Sequence, residues 1–167
     1  MRHLDLASHW RIAAPIDQVW DRLADPPGWP RWWPGMRAVQ TLRPPDAQGL
    51  GGRHRVEWAG RWPRQAAVEI EAIESLPFQR LRGRTRGALA GEGIWLLRAH
   101  GHVTEVTGLW RVEWINPWLR ALAPLLAHLV RWNHAGLMRA GAQGLARHLR
   151  VAEVIQPAFI CPGSIRR

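Results

Sequence analysis

The chain has 167 residues, 47% of them hydrophobic and 22% charged, a balance typical of a soluble globular domain with a substantial core. No run approaches the ~20 consecutive apolar residues of a membrane span, and the first residues lack the apolar segment of a secretory signal. The single cysteine, Cys161, cannot form an internal disulfide. We therefore predict a cytoplasmic protein without integral membrane association.

The net charge of +10 comes entirely from arginine, since the chain contains no lysine. A basic surface can bind nucleic acid or anionic lipid. The aromatic content is unusual as well, with twelve Trp, two Phe and no Tyr. The arrangement of arginine and tryptophan along the predicted elements therefore decides which partners are plausible.

The first third of the chain predicts a strand followed by two short helical segments. Residues 7–13 alternate between apolar and polar, which is typical of a strand. Apolar residues then recur at helical spacing over 16–24, after Pro15 at the first turn. The Pro-rich segment 29–35 predicts one helical turn and a loop, and 37–42 a second strand.

From residue 51 to residue 114 the pattern has period two, with turn residues at short intervals, and it predicts five consecutive antiparallel strands. One face carries the tryptophans and aliphatic side chains and is predicted to point inward. The other face carries rows of Arg and Glu that predict cross-strand ion pairs. Because nucleic-acid binders present aromatic and cationic groups on one surface, this segregation argues against nucleic acid as a partner.

A long amphipathic helix is predicted over residues 118–150, with a wide apolar stripe on one side. Asn133 falls within that stripe, and small residues thin it at Gly136, Ala140, Gly141 and Gly144. We infer that the helix covers a space rather than a solid core. Residues 1–150 are predicted to form one domain, and 151–167 a C-terminal tail.

Three local strings resemble one family. Residues 12–25 are similar to an opening "I-x-A-P-x-x-x-V-W-x-x-L-x-D", and 29–34 to "W-x-x-W-W-P". Residues 132–149 resemble the helix signature "W-N-H-x-x-x-M-x-x-G-x-x-G-L-x-x-x-L". The chain thus resembles the polyketide cyclase/dehydrase-like branch of the START-like (SRPBCC) superfamily. This resemblance implies an α+β helix-grip fold, in which a curved antiparallel sheet of six or seven strands wraps around the C-terminal helix.

The resemblance also implies an apolar cavity between sheet and helix, and the inward residues supply its candidate lining. Its polar members are His54, Thr85, Asn133 and His134, of which His54 is a weak candidate for acid–base catalysis because imidazole titrates near neutral pH. The predicted ligand-binding residues are His54, Val56, Trp58, Val68, Ile70, Thr85, Trp95, Leu97, Val106, Trp110, Val112, Trp114, Val130, Asn133, His134 and Leu137.

Three functions remain open at this point. The first is binding of a hydrophobic small molecule of lipid, polyketide or aromatic type. The second is a cyclase/aromatase in which polar wall groups move protons, and the third is a structural, partner-binding or polyanion-binding protein with a filled core. No cofactor and no metal site is predicted, and the oligomeric state is open. Trp29, Trp32 and Trp33 could form a lid over the cavity or a plug between the short helices and the sheet.

Overall fold

The computed structural model describes residues 3–59, 66–87, 90–113 and 123–151. The predicted helix start at Trp118, the predicted wall residue Trp114 and all but the first residue of the predicted tail lie outside these ranges. The elements are β1 (His3–Ile12), α1 (Ile16–Leu23), a 3-10 turn (Pro26–Arg31), β2 (Met36–Arg43), β3 (Arg53–Trp58), β4 (Ala66–Leu76), β5 (Arg80–Gly87), β6 (Ala90–His100), β7 (Val103–Glu113) and α2 (Ala123–His148).

The seven strands form one antiparallel sheet in the order β1-β7-β6-β5-β4-β3-β2. The α+β helix-grip fold predicted from the sequence is confirmed. The first strand begins four residues earlier than predicted, because Leu4 and Leu6 continue the alternation and are buried opposite Val112 and Trp110. No helix in the described ranges is long and apolar enough to span a membrane.

The outer face of the sheet carries the predicted ion pairs. Glu92 accepts hydrogen bonds from Arg82 and Arg84. Oε2 of Glu71 lies 3.6 Å from Nη2 of Arg86. Asp5 on β1 pairs with Arg111 on β7, which lowers the pKa of that carboxyl. These pairs are half-exposed, so each adds little stability, but together they offset much of the positive charge on this face.

The closely packed part of the core lies where α1, the 3-10 turn and the second half of α2 meet the sheet. Trp10 and Trp33 are fully buried there, with ring centroids 5.5 Å apart. The indole nitrogen of Trp33 donates a 2.9 Å hydrogen bond to the carbonyl oxygen of Leu137 in α2. Trp32 and Trp33 are thus a plug between the short helices and the sheet, one of the two predicted alternatives.

The small residues of α2 have a different role from the one predicted. A β-carbon at Gly141 would overlap the Trp33 ring, and one at Gly144 would overlap the main-chain carbonyl oxygen of Trp32. These glycines allow α2 to approach closely the loop that contains Trp32, Trp33 and Pro34, the tryptophan loop. The expectation that they leave a space under the helix is therefore wrong at these two positions.

Candidate functional site

The centre of the inner sheet face has almost no side chains. Gly83 on β5 and Gly93 on β6 are directly opposite each other in the register, with Ala72 beside Gly83 on β4. A β-carbon at Gly83 would have one atom within 4 Å, the carbonyl oxygen of Glu71, and one at Gly93 would meet only Trp110 and a main-chain oxygen. Among the described residues, no atom of α2 lies within 4 Å of either β-carbon, so these two glycines leave a depression in the inner face of the sheet.

Partly buried apolar side chains surround this depression. Trp95 and Leu81 lie along the strands on one side, and Ile70 and Trp110 on the neighbouring strands β4 and β7. Each of them packs against a buried cluster and still retains some exposure.

Trp110 borders the depression with the polar edge of its ring. Its Cδ1 atom would lie 3.7 Å from a β-carbon at Gly93, and the adjoining Nε1 is buried without a hydrogen-bond partner. A buried donor without an acceptor is costly, so a ligand oxygen at this position would be stabilised by it. The sequence placed Trp110 in the wall but gave no indication of this unpaired donor.

His134 of α2 lies against Trp110, with ring centroids 6.0 Å apart. Burial lowers the pKa of His134 to about 4, so the imidazole is neutral at physiological pH. Asn133 is partly buried on the same helix. The helix side of the site therefore offers uncharged polar groups.

His54 of β3 is buried and lies near the other edge of the sheet. Its Nδ1 is 3.2 Å from Thr41 Oγ1 on β2. Burial lowers the pKa of His54, and the negative charge of Asp25 partly opposes that effect. Neither Thr41 nor Asp25 was among the predicted residues; the β2–β3 register, which pairs Thr41 with His54, was the signal that could have indicated Thr41.

His54 lies on β3, whereas His134 lies against Trp110 on β7, and these two strands are four positions apart in the sheet order. Thr85 lies between them on β5 and donates its hydroxyl to the carbonyl oxygen of Gly91. The predicted polar residues are therefore spread along the inner face.

The predicted apolar lining divides among three buried clusters. Val56, Trp58 and Val68 form one cluster, with Ile70, Trp110 and Leu137 against it, together with Trp29 and Met36, which were not predicted. Val112 and Val130 belong to a second cluster with Leu4 and Leu6. Leu97, Val106 and Trp95 belong to the closely packed cluster around Trp10. Of this predicted lining, Ile70, Trp95 and Trp110 lie nearest to Gly83 and Gly93 in the strand register.

A separate cleft of about 380 Å³ lies at the C-terminal end of α2. Its lining residues are Pro30, Arg31, Trp32, Pro34, Gly144, Arg147 and His148. None of the predicted ligand-binding residues is among them. In the described ranges, no three His, Cys, Asp or Glu side chains converge as a metal site requires.

The partly buried, neutral imidazole of His134 predicts a loss of stability in mild acid. The unfolded chain binds a proton near the ordinary pKa of 6.5, whereas the folded chain binds it only near 4. Stability is therefore complete above about pH 6.5 and falls as the pH drops toward 4. We expect the free energy of unfolding to fall by about 2 kcal/mol between about pH 7 and about pH 5, as measured by urea denaturation.

A His134→Gln variant tests the assignment because its side chain is neutral throughout this range. It should lose most of the pH dependence, leaving the smaller contribution of His54, whose pKa is shifted in the same direction. If the free energy of unfolding of the variant fell with pH as steeply as that of the wild-type chain, the assignment of this pH dependence to His134 would be contradicted.

Residues 4–150 match the family model described as polyketide cyclase/dehydrase and lipid transport. No curated protein sequence matches the chain significantly.

Several solved structures share the fold. The di-domain ARO/CYC BexL from the BE-7585A biosynthetic pathway superposes with a TM-score of 0.71 at 19% identity, over 90% of this chain and 51% of BexL. This chain thus spans about half the length of BexL. The Zhui aromatase/cyclase from Streptomyces sp. R1128 superposes with a TM-score of 0.69 at 15% identity, over 89% of this chain and 94% of Zhui. A START superfamily protein from Mycobacterium smegmatis superposes with a TM-score of 0.70 at 11% identity, over 87% of this chain and 97% of that protein.

At these identities the structures establish a shared fold, whereas the family model covers nearly all of the described residues. The chain belongs to the polyketide cyclase/dehydrase and lipid transport family.

Proposed function

We propose that the protein binds a hydrophobic small molecule, of lipid, polyketide or aromatic type, between the inner sheet face and α2. The observation that carries the proposal is the pair of facing glycines, Gly83 and Gly93, where a β-carbon would meet no described atom of α2 within 4 Å. Small-molecule sites in proteins are concave and mostly apolar, with a few orienting polar groups. The depression and its Trp and Ile walls have that character.

The polar groups at the site favour an uncharged ligand with hydrogen-bonding oxygens. Both imidazoles, His54 and His134, have pKa values lowered by burial and are neutral. The unpaired Nε1 of Trp110 is a donor suited to a ligand carbonyl or hydroxyl. The sheet carboxylates that form ion pairs do so with arginines on the outer face. We assign ligand contact to Trp110, Thr85, Asn133 and His134, with His54 at the far end.

Filling the depression tests this proposal directly. Neither Gly83 nor Gly93 has a positive φ, so Gly83→Val and Gly93→Val add a side chain to the site without backbone strain. N-phenyl-1-naphthylamine, an uncharged fluorescent probe, should bind the wild-type chain and receive energy from its tryptophans. We expect each variant to weaken probe binding by about tenfold or more, since the added side chain occupies the volume of the ligand.

Ala38→Val serves as the matched control, because Ala38 is exposed and lies on the outer face of β2. It should leave probe binding unchanged, and all three variants should keep the wild-type far-ultraviolet circular dichroism. Probe binding that survives both glycine substitutions would place any ligand site elsewhere and overturn the proposal.

A second candidate function is a cyclase reaction at the same site. Burial keeps the imidazole of His54 unprotonated at neutral pH, so His54 could accept a proton from carbon during an aldol closure. Two of the structural neighbours are described as aromatase/cyclase proteins. Turnover of a poly-β-ketone surrogate that disappears in His54→Ala, with probe binding retained, would favour this function; absence of turnover in the wild-type chain would leave binding alone.

A further inference from the structure

The charge of the molecule is distributed unequally between its two faces. On the outer sheet face, the carboxylates of Asp5, Glu69, Glu71, Glu92 and Glu105 each pair with an arginine. Residues 123–151, by contrast, contain four Arg and three His and no Asp or Glu. Within the described ranges, most of the excess positive charge therefore lies on residues 123–151.

The exposed ridge of α2 carries these cations. His128, Arg131, Arg139 and Arg147 are exposed and follow the helix over most of its length of about 39 Å. None of the three arginines forms an ion pair with a residue in the described part of the chain. Such a row of cations is complementary to an extended anionic surface.

A large aromatic residue lies in the middle of this ridge. Trp132 is 51% exposed and follows Arg131 in the chain, with Arg139 two helical turns further on. The other exposed large apolar residues in the described ranges, Leu42, Leu76 and Phe78, lie on strands or in a strand turn. An indole ring among cations is typical of the boundary between lipid headgroups and acyl chains.

The cationic surface continues beyond the helix into the cleft at its C-terminal end. Arg31 of the 3-10 turn faces Arg147 and His148 across that cleft of about 380 Å³. Arg31 is exposed and also lacks an ion pair within the described ranges. Arginine pairs well with phosphate oxygens, so the cleft suits a phospholipid headgroup.

We propose that the exposed ridge of α2, defined by His128, Arg131, Trp132, Arg139 and Arg147, docks on an anionic phospholipid bilayer. A bilayer is favoured over nucleic acid because single-stranded nucleic acid binds to several stacking aromatics, and the ridge presents a single indole in its described part. The inference goes beyond the proposed ligand site and does not depend on it. If both hold, the bilayer is where an insoluble ligand is exchanged.

The test uses the full chain and large unilamellar vesicles, either of phosphatidylcholine alone or with a third of phosphatidylglycerol. We expect sedimentation with the anionic vesicles only, weakening as NaCl is raised from about 50 to about 300 mM. Arg131→Gln and Arg139→Gln should each weaken binding by about fivefold. Trp132→Ala should also weaken it, and Arg139→Lys, which keeps the charge, should retain most of it.

Arg98→Gln provides the matched control. Arg98 is exposed on the outer face of β6 and has no ion pair in the described ranges, so its replacement removes the same charge from the opposite face. It should leave vesicle binding unchanged. An equal loss in Arg98→Gln, no vesicle binding at low salt, or binding to a DNA duplex in preference to vesicles would each overturn the inference. Gly83→Val and Gly93→Val should lose probe binding and still bind vesicles, which would show that the ligand site and the ridge of α2 are separate.

Discussion

Replacing Trp33 with alanine is expected to lower the free energy of unfolding by about 3–5 kcal/mol. The Trp33 side chain is 2% exposed and stacks on Trp32 with ring centroids 5.1 Å apart. It also contacts the edge of Trp10 and donates a hydrogen bond to the carbonyl oxygen of Leu137. Alanine would leave a cavity at the one point where the sheet, the 3-10 turn and α2 meet, and the surrounding rings can fill it only in part.

Urea denaturation at constant pH measures this effect. Trp132→Ala is the matched control, because it removes the same side chain from an exposed position and should cost less than about 1 kcal/mol. Trp33→Phe separates the two contributions, since it keeps most of the aromatic packing and loses the hydrogen bond, at a cost of about 1–2 kcal/mol. Equal losses of unfolding free energy in Trp33→Ala and Trp132→Ala would contradict the role of Trp33 as a plug between the short helices and the sheet.

The sheet could be predicted from the sequence because alternation directly reports which side of a strand is buried. Val106 and Val112 on β7 were predicted to point inward, and both are buried. The Arg and Glu rows on β4 and β5 were predicted to pair, and Arg86 does pair with Glu71. Local periodicity sufficed for β2 to β7 because each of these strands pairs with its neighbour in the chain, whereas β1 pairs with the distant β7.

The contacts between distant segments could not be predicted in this way. Periodicity places Gly141 and Gly144 on the buried side of α2, but it does not say what packs there. The partner is the tryptophan loop more than a hundred residues earlier in the chain, so two patterns that were considered separately, a thinned helix and a Trp-rich turn, turn out to be one interface. Close approach, and not an empty space, is the physical reason for these glycines.

The candidate site was predicted only in outline. Alternation assigned Trp110 to the inner face, but the depression depends on the register that sets Gly83 opposite Gly93 and Gly93 opposite Trp110. Likewise His54 was predicted to point inward, whereas its contact with Thr41 depends on the β2–β3 register. Cross-strand register is fixed by turn geometry and β-bulges. The amino-acid composition of a turn does not determine either of them precisely enough to predict the register.

The glycines of α2 differ in their surroundings, and this predicts opposite effects of the same substitution. Gly144→Ala is expected to lower the free energy of unfolding by about 3 kcal/mol, at the upper end for an overpacked core position. The added β-carbon would overlap the carbonyl oxygen of Trp32 and approach Pro34, and neither group can rotate away as a flexible side chain could. The helix would have to move away from the loop, which would also disturb the Trp33 hydrogen bond to Leu137.

Gly136→Ala is the internal control, since a β-carbon there has nothing within 4 Å and the residue is exposed. Alanine is the better helix former, so this variant should gain about 0.5–1 kcal/mol in urea denaturation. The two substitutions make the same chemical change on one helix, so helix propensity cancels in their difference. A stability difference near about 4 kcal/mol would then measure the closeness of α2 to the tryptophan loop, whereas similar gains for both would mean that the helix does not rest on that loop.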